Sequence, residues 1–151
     1  MREASDSVRE IEVQWGDLDS LGIVFYPRFF AWADEGAHQL FRVAGLAMDR
    51  LLAERKMSFG LVSSAAEFHS PARYGERLLS RSTISKLGGR SVEVTHRLVR
   101  VADESPVATV RETRACMDLS DPARIRAQQL PQDVASRLRR FEARAEVVED
   151  E

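Results

Sequence analysis

The chain has 151 residues, 44% of them hydrophobic, enough for one domain with a core of its own and no need of a metal or disulfide to fold. A formal net charge of −2 leaves no broadly basic face, which argues against nucleic acid as a partner. The N-terminus lacks the apolar centre of a signal peptide, no apolar run approaches membrane-spanning length, and the single cysteine, Cys116, excludes an internal disulfide; a soluble cytoplasmic protein is expected.

Residues Met1 to Ser7 are polar and should be flexible. From Val8 the sequence alternates, with Ile11, Val13 and Trp15 on one side and Glu10, Glu12 and Gln14 on the other, which predicts a half-buried strand. Gly16 to Phe25 reads as loop. Pro27 then stands where proline is welcome, in the first turn of a helix whose apolar stripe is Phe30, Ala33, Ala37, Leu40, Phe41 and Ala44. Gly45 is placed to end that helix in the left-handed conformation. The small residues Ala33, Gly36 and Ala37 would let it approach a sheet closely. A shorter helix is expected from Ala47 to about Arg55.

Four β-rich runs follow, Phe59 to Phe68, Arg77 to Leu87, Arg90 to Val101 and Pro106 to Asp118, separated by turn signals. Gly88-Gly89 predicts a tight hairpin, since both residues tolerate positive φ. One early strand, one long helix and then four strands exclude a Rossmann-type alternation and predict an α+β fold, with the helix across one face of an antiparallel sheet. Pro131 to Ala145 reads as a last helix, followed by a mobile acidic end from 146 to 151. No repeat or linker divides the chain, so residues 1 to 151 are read as a single domain.

The chemistry concentrates between Trp15 and Asp34, in W-G-D-L-D-S-L-G-I-V-F-Y-P-R-F-F-A-W-A-D. A strand before this stretch and a helix after it leave a carboxylate on the connecting loop, near a helix N-terminus. Helix starts offer unpaired N–H groups and the positive end of the macrodipole, which suit an oxyanion formed during acyl transfer. A nearby carboxylate can attack a carbonyl or activate water. Taken alone, the same acid could equally cap the loop.

The pattern G-D-x-D-x-x-G-I-V-x-Y-P, followed by a helix with W-x-D, resembles the 4-hydroxybenzoyl-CoA thioesterase family of the hotdog-fold superfamily. The resemblance implies a long helix wrapped by a curled antiparallel sheet, and a homodimer or homotetramer with sites shared between subunits. It implies hydrolysis of an acyl-CoA thioester, an aroyl-CoA first among the candidates, with coenzyme A as part of the substrate and neither cofactor nor metal. A broad short- or medium-chain acyl-CoA or acyl-carrier-protein thioesterase, or a non-catalytic acyl-CoA binder, is the alternative.

Carried over position by position, the resemblance makes Asp19 the catalytic carboxylate and the backbone amide of Tyr26 the oxyanion donor. Gly22 lets the loop fold back, and Phe25 and Trp32 are candidates to line the acyl pocket. Asp34 aligns with the acid that meets the hydroxyl at the far end of the aromatic ring. Arg90, after the glycine pair, stands where the family places a basic residue near the CoA phosphates, although L-G-G-R is less basic than the family's cluster; Arg73 or a tail arginine could contribute. Asp17 is read as structural. His38, His69 and His96 show no metal-ligand spacing and are read as structural histidines.

Overall fold

The computed structural model describes residues 6–143. In chain order these form β1 (Ser7–Glu12), α1 (Pro27–Val43), α2 (Met48–Arg55), β2 (Met57–Phe68), β3 (Arg77–Leu87), β4 (Ser91–Arg100), β5 (Pro106–Asp118), β6 (Arg126–Ala127) and α3 (Gln132–Arg139). The strands make one six-stranded antiparallel sheet in the order β1-β3-β4-β5-β2, with β6 added beside the end of β5. α1 crosses one face of it, and the arrangement is the hotdog architecture that the sequence resemblance implies.

α1 starts where Pro27 can occupy the first turn at no loss of a hydrogen bond, and ends at Gly45, whose φ is +80°. Its buried face is Phe29, Trp32, Ala33, Gly36, Ala37, Leu40 and Phe41. Phe29, rather than the expected Phe30, begins the stripe. Gly36 is the point of closest approach: a Cβ there would lie 3.0 Å from Ser82 Oγ. Even an alanine there would need the Ser82 and His96 side chains to give by a few tenths of an ångström.

The core has two parts. Leu40, Phe41 and Leu51 pack with Phe59, Val94 and Leu138 under the later half of α1, with the rings of Phe41 and Phe59 4.8 Å apart. Val13, Phe29 and Trp32 pack with Leu78, Leu98 and Val110 under its first half. Between the two parts a polar row crosses the sheet, made of Ser82, His96, Glu112 and Arg114, all buried.

Four local expectations are corrected. Trp15 leaves the alternation of β1 and stands 74% exposed, because the chain turns at Trp15–Asp17 into one 3₁₀ turn. Ser7, expected in a flexible end, is buried at the start of β1, where it pairs with Ser82; the remaining end segments, 1–5 and 144–151, lie outside the described residues. Neither Gly88 nor Gly89 has positive φ. The turn closes through the Gly88 N–H, which donates to the Ser91 carbonyl at 2.8 Å, and a Cβ on Gly89 would press on Gln129 at 3.2 Å. Gly89 thus serves close packing of the tail, and Gly88, where a Cβ would lie 3.2 Å from the Ser91 carbonyl oxygen, serves the tight turn without a left-handed backbone. The last helix is also shorter than its pattern, Gln132–Arg139.

The sheet's two sides are finished differently. Beyond the end of β1, the Ile84 N–H donates to the Phe141 carbonyl at 2.8 Å, and Gln39 Nε2 from α1 donates to the Val8 carbonyl at 2.9 Å. Among the described residues β2 pairs with β5 alone, and from Leu61 onward nearly all its side chains are exposed, on both faces. Leu61 and Val62 are 53% and 61% exposed.

Candidate active site

The loop between β1 and α1 is held from within. Asp17 Oδ2 accepts the Gln14 N–H at 2.8 Å, its carbonyl accepts the Phe25 N–H at 2.8 Å, and Arg28 Nε lies 3.6 Å from Oδ1. Every polar group of Asp17 is therefore spent on shape. Leu18 and Val24 form a bridge, and the Asp19 N–H donates to the Ile23 carbonyl at 2.9 Å, so residues 19 to 23 make a tight turn. Gly22 supplies the positive φ, +77°, that this turn requires.

Asp19 itself is held lightly. Its Oδ1 accepts the Leu21 N–H at 2.8 Å; among the described residues Oδ2 has no partner. The side chain is half-buried and lines a cleft of about 440 Å³ together with Tyr26, Phe29, Phe68, His69 and Ser70. That volume lies in the range of small-molecule sites, and its walls are mostly apolar.

Tyr26 is the N-cap of α1, with φ −54° and ψ −31° and no side-chain cap. Among the described residues neither a carbonyl nor a side chain accepts its N–H. Pro27 has no N–H of its own, so the Tyr26 amide is the first donor of the helix's leading tip, in the positive end of its dipole. The far wall of the cleft is fixed by Arg100, which bonds to Glu76 Oε2 at 2.6 Å, to Ser70 Oγ and Ser105 Oγ at 2.9 Å, and to the Pro71 carbonyl.

The remaining residues singled out in the sequence are dispersed. Trp32 belongs to the core, edge-on to Phe29 at 5.3 Å, and Phe25 is half-exposed against Tyr26 at 5.5 Å. The aromatic lining of the cleft comes instead from Phe29 and Phe68, 5.5 Å apart. Asp34 lies about two turns beyond Tyr26 on α1, its side chain 52% exposed, with Oδ1 2.7 Å from Arg114 Nη2 and 3.6 Å from His38 Nε2.

Arg90 is exposed at the β3–β4 turn, where its carbonyl accepts the Cys116 N–H. The cleft sits near Phe68, which pairs with Ala108, so eight residue steps of β5 separate the two ends, roughly 26 Å. Arg90 and Asp19 of one chain therefore stand apart. His69, taken from the sequence as structural, enters the cleft wall with Nε2 3.0 Å from Thr109 Oγ1. Only the pairing of the end of β2 with β5 puts it there, and no local motif announced it.

Asp19 and the N-cap residue Tyr26 thus line one mostly apolar cleft at the leading tip of α1. Residues 13–138 match the model of the thioesterase-like superfamily, and the chain belongs to that family. It is 28% identical over 126 residues to 4-hydroxybenzoyl-CoA thioesterase of Pseudomonas sp. strain CBS-3, a match covering 80% of this chain and 89% of that one. It is 22% identical to the acyl-CoA thioester hydrolase YbgC of Escherichia coli, over 83% of this chain and 90% of that one. The solved structure of the Pseudomonas enzyme superposes with a TM-score of 0.81 at 26% identity, covering 87% of this chain and 98% of the other.

Proposed function

We propose that this protein hydrolyses an aroyl-CoA thioester to the free acid and coenzyme A, with Asp19 as the reacting carboxylate and the Tyr26 amide as the oxyanion donor. The observation that supports the reading is that Asp19 and Tyr26 line one mostly apolar cleft at the tip of α1, where the Tyr26 amide has no partner among the described residues. Either Asp19 adds directly to the thioester carbonyl or it takes a proton from a water that adds. In both cases negative charge grows on the carbonyl oxygen, where the amide and the helix dipole stabilise it, and the C–S bond then breaks to release the CoA thiolate; on the first route water then adds to the acyl–Asp19 anhydride and its C–O bond breaks, giving the free acid and restoring the Asp19 carboxylate. Likeness to enzymes named for 4-hydroxybenzoyl-CoA and acyl-CoA hydrolysis supports the substrate class.

Within that reading Asp34 accepts a hydrogen bond from a hydroxyl on the acyl ring. The protein works as a homodimer or homotetramer formed through β2, because this strand offers an unpaired edge and apolar residues on both faces, a surface that a second copy would cover. Arg90 then serves the CoA phosphates of a partner's site rather than its own, consistent with its distance from Asp19. No helix among the described residues is long and apolar enough to cross a membrane, and a lone buried cysteine suits the reducing cytoplasm we assign to it.

The test is release of CoA from a panel of benzoyl-, hydroxybenzoyl-, short-chain and medium-chain acyl-CoA thioesters, with kcat/KM for each. The aroyl substrates should lead by at least about 10-fold, on the order of 1.4 kcal/mol in transition-state binding. Equal or higher values for alkyl thioesters would move the protein to the broad acyl-CoA class, and binding without turnover of any of them would make it a binder.

A further inference from the structure

His69 stands on the cleft and takes no part in the chemistry described so far. Its backbone is fixed just past the end of β2, where its N–H donates to the Val107 carbonyl at 2.8 Å. Its ring is anchored at one end only: Nε2 lies 3.0 Å from Thr109 Oγ1, and among the described residues Nδ1 has no partner. The side chain is exposed, so a substrate or a water in the cleft can reach it.

The segment that follows His69 is tied to the turn that carries Asp19. The Val24 N–H donates to the Ala72 carbonyl at 2.9 Å, Ile23 bridges Arg73, and the Ile23 carbonyl accepts the Asp19 N–H at 2.9 Å. These bonds hold the two side chains on one frame, where they line the same space of about 440 Å³. The other polar side chains there are poor bases. Ser70 Oγ donates to the Pro106 carbonyl at 2.7 Å and accepts Arg100 Nη1 at 2.9 Å, and the Tyr26 phenol is a donor before it is a base.

The route through an acyl–Asp19 anhydride has a step that Asp19 cannot serve. Once bonded to the acyl carbon it can no longer take a proton from water, so the second step needs another base. Histidine suits the task, because its charge changes between about pH 5 and 8 and it can both take a proton and return it. Resting on the thioester-hydrolysis reading above, we propose that His69 is the catalytic base of that second step. In the tautomer whose Nε2–H donates to Thr109 Oγ1, the lone pair of Nδ1 is left for the cleft. Nδ1 takes a proton from water as the water oxygen adds to the acyl carbon of the anhydride. The bond from that carbon to the Asp19 oxygen then breaks, Asp19 departs as a carboxylate, the free acid leaves and the imidazolium returns its proton to solvent.

The experiment mixes His69→Ala rapidly with hydroxybenzoyl-CoA or benzoyl-CoA and follows free CoA from the first turnover. Formation of the anhydride does not need His69, so the variant should release about one CoA per active site in a fast phase and then turn over about 10²-fold more slowly than the parent. Added imidazole, entering the space left by the ring, should raise the slow phase by about fivefold or more and leave the fast phase as it was. A merely structural role would slow both phases and give neither sign. If His69→Ala does not fold, the burst is measured on His69→Gln, whose amide can still reach Thr109 but takes up no proton. Parental turnover in the variant, a burst without rescue in His69→Ala, or rescue without a burst overturns the proposal while an active parent leaves thioester hydrolysis standing. A parent protein inactive on every thioester of the panel overturns the two together.

Discussion

Beside the tip of α1 and beneath its middle, two carboxylates stand under opposite conditions. At the tip, Asp19 is half-buried, takes one backbone hydrogen bond and borders open space. In the middle, Glu112 is sealed at 1% exposure, with His96 on one oxygen and Arg114 on the other. A group that must change its bonding during a reaction needs a free valence and room, and hydrogen-bond partners on both oxygens would hold it in its ground state. A group that must hold its neighbours in place needs the reverse. The contrast predicts that the two acids separate activity from stability.

Replacing Asp19 by Asn should have the largest effect, a fall in kcat of about 10²- to 10⁴-fold. The Asn carbonyl oxygen can still accept the Leu21 N–H, so the loop should keep its shape and the unfolding free energy should stay within about 0.5 kcal/mol of the parent's. Turnover and melting measured on the same preparation check both halves. An Asp19→Asn protein that keeps full activity would erase the distinction from the tip's side.

Replacing Glu112 by Ala should do the opposite. It leaves Arg114 with Asp34 alone and His96 Nε2 without an acceptor, and should cost about 3–5 kcal/mol in urea unfolding. The pH dependence sharpens this. Burial pushes the Glu112 carboxyl up, but the bonds from His96 and the charge of Arg114 outweigh it and hold the group below its ordinary 4.5. A depressed native value means that the unfolded chain takes up the proton first, so this stabilisation is complete above about pH 4.5 and is lost as pH falls through the native value. Glu112→Gln should flatten that acid limb of stability against pH.

How legible each region was follows from the period of its pattern. α1, α2 and β2 to β5 could be read because apolar residues recur at helical or strand spacing, and the Asp19 loop because its residues are contiguous. The row was missed although it left a trace. On β5, Ala108, Val110, Glu112, Arg114 and Cys116 occupy alternate positions and all point inward, as do Val92, Val94, His96 and Leu98 on β4. Charged residues in phase with the apolar face mark a buried polar group, whereas His96 considered alone suggested only a structural histidine. Their meeting with Asp34 depends on the register of β3, β4 and β5 beneath Gly36, which no local pattern encodes. Trp15 failed for a different reason: alternation continued past the point where Asp17 turned the backbone aside.

The smallest effect belongs to neither carboxylate. Arg90 is exposed and, among the described residues, its side chain makes no ion pair or hydrogen bond, so Arg90→Ala should leave stability unchanged within about 0.5 kcal/mol. If it meets the CoA phosphates of a partner's site, the substitution should raise KM for acyl-CoA about 3- to 10-fold with kcat unchanged, and the difference should shrink in high salt. The same acyl group on N-acetylcysteamine, which has no phosphate, should respond equally in both proteins. Because some 26 Å of sheet separates this arginine from the Asp19 cleft of its own chain, mixed oligomers then decide between chains. Protomers carrying only Asp19→Asn, combined with protomers carrying only Arg90→Ala, should regain sites with parental KM when the arginine acts across the interface, and none when it acts within one chain.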